Sequence, residues 1–148
     1  MKTETVLKRL RIFLLGFSIF IFAGAVMEHF ALKHYREDLQ WVPFILCPLG
    51  ILLNALFLAK PGRGMLSALK IGMWVIAAGG LIGTLIHVSG NLESIFEGGR
   101  SATLLNIFYA TVGGRNPLLA PGTLIIAAAL SLAAIYHHPV GELVSKKK

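Results

Sequence analysis

Four stretches of the sequence, residues 12–31, 41–59, 69–88 and 118–136, carry little charge, and each is close to the roughly 20 residues a helix needs to cross the hydrocarbon core of a bilayer. A backbone placed in lipid has to satisfy its own hydrogen bonds, so stretches of this length fold as helices. The expected fold class is therefore all-α, a four-transmembrane-helix bundle making one integral membrane domain over residues 1–148. Only 14% of the residues are charged, against about 25% in a soluble domain, which agrees with a chain that lives in lipid. The first stretch outruns a signal-peptide core and continues apolar past Ala23-Gly24-Ala25, so it reads as a retained anchor.

The third and fourth stretches are separated by the one long connection, and within it residues 101–112 read as a short interfacial or re-entrant helix. Ser101 can cap its start and Gly113-Gly114 can stop it, while Leu104, Leu105, Ile107, Phe108 and Tyr109 make it apolar. Pro43 and Pro121 fall near helix starts, where proline is tolerated, and Pro48 predicts a kink in the second helix.

The net charge of +7 is explained by topology. Lysines and arginines flank the apolar stretches instead of forming a basic stripe with interleaved aromatics, so nucleic acid is not an expected partner. Lys2, Lys8, Arg9, Arg11, Lys60, Arg63, Lys70 and the C-terminal lysines fall on one side of a four-span chain; Lys33, Arg36, Arg100 and Arg115 fall on the other, accompanied by most of the acids. The positive-inside rule makes the first side cytoplasmic and puts both termini there, in a bacterial cytoplasmic (inner) membrane.

The third stretch has the strongest packing signal. Gly72, Gly79, Gly80 and Gly83, with Ala77 and Ala78, make a surface that another backbone can approach closely. Spacing by three and four aligns Gly80, Gly83, Thr84, His87 and Asn91 on one side, which turns His87 toward the protein interior.

Polar groups gather at the outer ends of the first and third helices. Glu28 and His29 end the first, His34, Tyr35 and Arg36 follow, and His87, Asn91 and Glu93 end the third. Both helices run the same way, so these groups can meet. Ionisable groups at membrane depth cost free energy, and their placement is informative for that reason. His29, His34 and His87 offer imidazole nitrogens, and Glu28 and Glu93 oxygens, for a transition metal such as zinc, copper or iron. His29, His34, His87 and Tyr35 can equally line a haem or quinone site. The plain alternative is structural: Glu28 pairs with Lys33 or Arg36, His87 bonds a carbonyl or Asn91, and the helix ends are locked together.

No H-E-x-x-H or Glu-x-x-His pair, P-loop, dinucleotide fingerprint or nucleophile triad accompanies the cluster. The single cysteine, Cys47, excludes a disulfide framework. His137-His138-Pro139, at the inner end of the fourth helix, read as stop chemistry, and Asn54 as an interhelical hydrogen bond.

At His34-Tyr35-Arg36 with Gln40 and Pro43, at His87-x-x-Gly90 and at Asn116-Pro117-Leu118-Leu119-Ala120-Pro121, the chain resembles small uncharacterised bacterial four-helix integral membrane proteins. The resemblance covers most of the chain, implies the same helix count and a shared role for His34 and His87, and brings no activity with it. Four tight helices, little soluble mass and no complete catalytic constellation point to a non-enzymatic accessory or scaffold protein, a small subunit beside a membrane redox complex. Its partners would be the lipid bilayer and other membrane subunits, or further copies of itself. The alternatives are a metal-, haem- or quinone-binding protein with its site at the outer ends of helices one and three, and a small oligomeric transporter or proton conductor.

Overall fold

A computed structural model of the chain describes residues 3–31, 33, 38–97, 103–113 and 118–142. Among these residues six helices follow one another: α1 (Thr3–Ala31), α2 (Val42–Ala59) entered through a 3-10 turn at Asp38–Trp41, α3 (Arg63–Glu97), α4 (Leu104–Gly113), α5 (Leu119–Ile135) and α6 (Pro139–Glu142). Among the described residues there is no strand, so the all-α class stands. Among the described residues three segments are long and apolar enough to cross a membrane: α1, α2 with its entry turn (Leu39–Ala59), and α3. At 17 residues α5 spans about 25 Å, less than the roughly 30 Å of a hydrocarbon core.

Helix ends and hydropathy do not coincide. Three polar residues at the start of α1, Lys8, Arg9 and Arg11, precede the apolar stretch from residue 12 yet lie on its helical turns. α3 has 35 residues, about 52 Å, and continues well past residue 88. Hydropathy registers where lipid lies, whereas a helix continues into water for as long as its backbone bonds and polar side chains hold it. In α3 the extension carries Ser94, whose hydroxyl donates to the Asn91 carbonyl at 2.7 Å, and Asn91, whose side-chain amide donates to the Thr111 carbonyl of α4 at 3.2 Å. That second bond ties α4 to α3. α4 starts at Leu104 because Thr103 caps it, accepting from the Asn106 amide at 3.3 Å; the expected cap, Ser101, lies outside the described residues. Pro43 sits in the first turn of α2, and the helix runs through Pro48 to Ala59.

α2 and α5 each pack against both α1 and α3, so these four helices form a ring with α1 and α3 at opposite corners. Phe22, Phe57, Leu69, Met73 and Ile76 fill its centre. The glycines set how closely the helices approach. The Phe22 ring of α1 lies across Gly50 of α2, where an added Cβ would stand 2.7 Å from it. On α3, Gly72 and Gly79 receive Leu53 and Leu46 of α2, while Gly80 and Gly83 receive the start of α5. A Cβ on Gly80 would meet the Pro121 carbonyl oxygen at 2.9 Å, and one on Gly83 would meet the Pro121 Cβ at 3.1 Å. The face expected from glycine spacing is thus divided between two neighbours.

A polar tie crosses the core. Fully buried Asn54 of α2 donates through Nδ2 to the Gly50 carbonyl at 2.8 Å and accepts at Oδ1 from the Ser131 hydroxyl of α5 at 2.9 Å. The sequence expectation for Asn54 holds, and such bonds are how helices associate where lipid removes the hydrophobic drive. Outside, the aromatic ridge Phe13, Phe17 and Phe20 is stacked at centroid spacings of 5.8 and 6.2 Å, with Phe20 70% exposed. Ile71, Trp74 and Ile82 are also largely exposed. A continuous apolar exterior of this extent suits lipid and not water.

Candidate functional site

His29 is carried by the last turn of α1 and is 5% exposed. Its Nδ1 lies 2.7 Å from the Ala25 carbonyl oxygen. A carbonyl can only accept, so Nδ1 carries the proton, and in the neutral ring Nε2 is the nitrogen with the lone pair. The ring edge packs on Phe44 of α2 at 6.0 Å, and Phe44 in turn touches Trp41 at 5.7 Å. Because α1 runs antiparallel to α2, burial of this histidine follows from the way Phe22 seats on Gly50 two turns earlier on the same face.

His87 is half-buried on α3, two turns beyond Gly80 on the glycine face. His29 and His87 line one cavity of about 610 Å³ at the end of the bundle where α1 and α3 finish and α2 and α5 begin. Its floor and walls include Gly79, Gly80, Gly83 and Pro121, the close-approach surface between α3 and α5. Gln40 and Ser94 bring an amide and a hydroxyl to the lining; among the described residues the lining holds no carboxylate, lysine or arginine. The volume lies within the 300–1,000 Å³ typical of small-molecule sites, and mostly apolar walls with a few polar groups are their usual make-up.

The five residues expected to ligate a metal are not all brought together. Glu28 and Glu93 are exposed and do not line the cavity, whereas His29 and His87 do. Among the described residues no three His, Cys, Asp or Glu side chains gather as a metal site. His34 and Tyr35 lie outside the described residues. Ser94 falls in the long connection by hydropathy, and only the longer α3 brings it to the site. Seven residues past His87, Ser94 lies on the same helical face, so a later end for α3 would have found it.

At the opposite end the turn after α5 is closed by capping, as the stop chemistry of His137-His138-Pro139 implied. Arg11 donates through Nη2 to the carbonyls of His137 at 3.0 Å and Tyr136 at 3.4 Å. His137 takes a left-handed backbone with φ 43°. The His138 Nδ1 accepts from the Val140 amide at 3.3 Å, capping α6, and its ring meets Phe57 edge-on at 5.1 Å. Burial, and then the nearby Arg11 charge, hold His138 below the usual histidine range. Comparison with known protein families, curated proteins and solved structures gives no match.

Proposed function

We propose that the chain is a four-span protein of the bacterial cytoplasmic membrane, with both termini cytoplasmic, that holds a small, mostly apolar ring compound bearing a hydroxyl, of quinol type, between His29 and His87. In this reading it is an accessory subunit beside a membrane redox complex and has no turnover of its own. The observation that carries it is the cavity of about 610 Å³ lined by both histidines. The ligand hydroxyl lies against His29, whose Nδ1 is given to Ala25, and donates to the Ser94 oxygen, whose own proton goes to the Asn91 carbonyl. The fourth crossing is made by α5, whose shortfall is small enough for local thinning of the bilayer and for Tyr136 at its inner end to absorb.

The same tautomer favours a second reading. An imidazole that gives one N–H to a backbone carbonyl and presents the other nitrogen is how protein histidines usually meet haem iron or another metal. One experiment separates the two: an optical spectrum and an organic extract of detergent-purified protein, with His29→Ala and His87→Ala beside the wild type. A quinone-type compound in the wild-type extract, depleted in both variants, supports the first reading. A Soret band lost in both supports the second. A colourless protein whose extract is the same in all three defeats both.

A further inference from the structure

A second cavity, of about 770 Å³, is at the other end of the bundle, between the start of α1, the end of α2 and the α5–α6 turn. Its walls are of two kinds. Leu7, Ile12, Leu15 and Phe57 form an apolar slot, and Lys8, Arg11 and His138 stand at its polar side, where Glu4 is the one carboxylate in the lining among the described residues. The two carbonyl bonds made by Arg11 both use Nη2, one nitrogen of a fork with five N–H donors, so the guanidinium keeps donors for a further acceptor. His138 spends Nδ1 as an acceptor for the Val140 amide, so Nε2 carries the proton and is a donor. Two cations and an N–H donor therefore converge beside a slot able to take a hydrocarbon chain, in a segment where α1 passes from polar to apolar residues.

We propose that this cavity binds an anionic phospholipid of the adjacent leaflet, with the phosphate at Lys8 and Arg11 and an acyl chain along Leu15 and Phe57. A basic pocket between helices at a membrane surface recognises anionic headgroups through charge and the acyl chain through apolar contact, and the slot supplies the second part where a free anion would have no use for it. The identity of that leaflet as the cytoplasmic one rests on the orientation proposed above; the lipid site itself does not, and it is independent of the His29 and His87 cavity.

Native mass spectrometry of the full chain released from detergent tests the site, with phosphatidylglycerol, phosphatidylcholine or inorganic phosphate added separately. One phosphatidylglycerol should be retained per chain in preference to phosphatidylcholine, and Lys8→Gln and Arg11→Gln should each reduce its retention about fivefold. Lys60→Gln and Arg63→Gln, which remove charges from the same end outside the cavity, should change nothing. Arg11 also caps α5, so Lys8→Gln, which breaks no cap, is the decisive variant. Equal retention of the two lipids, binding of inorganic phosphate in place of lipid, or equal losses in the control variants would overturn the proposal.

Discussion

The two ends of this bundle are built on different principles. Where α1 and α3 finish, helices are brought together by missing side chains: Gly80 and Gly83 admit the first turn of α5, and the space beside that contact is the cavity lined by His29 and His87. At the end where α1 starts, helices are held by polar side chains acting on backbone, Arg11 on the carbonyls after α5 and His138 on the amide of α6. The first device leaves imidazoles facing a cavity without lysine, arginine or carboxylate in its described lining; the second leaves cations facing one. Histidines of the same sequence thus have opposite uses, set by whether the helix next to them is packed by glycine or capped by charge.

The largest effect is expected where backbone meets backbone. Gly80→Leu should destabilise the bundle by about 3 kcal/mol in reversible detergent unfolding, the upper end for overpacking, because the Pro121 carbonyl oxygen, 2.9 Å from the added Cβ, cannot rotate away. A loss below about 1 kcal/mol would mean that α5 does not depend on this face. Next comes the buried tie in the core: a double-mutant cycle of Asn54→Leu and Ser131→Ala should return a coupling of about 0.6–1.7 kcal/mol, and additivity would show the hydroxyl to be an idle neighbour.

The capped end should respond to acid. The folded pKa of His138 lies below its unfolded value, so its contribution is present above about pH 6.5 and is lost as pH falls through the lower folded value. Amide exchange at Val140 should quicken on acidification below that pH in the wild type and be pH-insensitive, apart from the intrinsic rate, in His138→Ala; an unchanged profile between the two would remove the cap from the account. The smallest effect belongs to Gly64, where an added Cβ meets nothing within 4 Å. Gly64→Ala should stabilise by about 0.5–1 kcal/mol through helix propensity, the reverse of Gly80, and a loss there would contradict the contrast between the ends.

Much of this was legible in the sequence where the physics is local. Apolar stretches located α1, α2, α3 and α5, and glycine spacing on α3 identified the face that α2 and α5 use. His29 and His87 share a cavity, as two helices running the same way allow. What was not legible depends on contacts remote in sequence. Hydropathy cannot show that α3 continues to Glu97, since that stretch is held by Ser94 and by Asn91 reaching Thr111. Asn54 announces a partner without naming Ser131, and the pairing of Arg11 with the carbonyls after α5 joins residues at opposite ends of the chain. Glu28 and Glu93 face outward, one or more residues off the buried face, so among the described residues the expected ligands do not gather.

The cavity between His29 and His87 is the centre of the account, and Trp41, joined to His29 through Phe44, lies close enough to report on it. The direct measurement is a quinol titration in lipid nanodiscs followed by Trp41 fluorescence, with Trp74→Phe removing the only other tryptophan, which lines a groove at the opposite end. Saturable quenching is expected, abolished by His29→Ala and weakened about tenfold by His87→Ala. Quenching that never saturates, or that is the same in all three proteins, would contradict it.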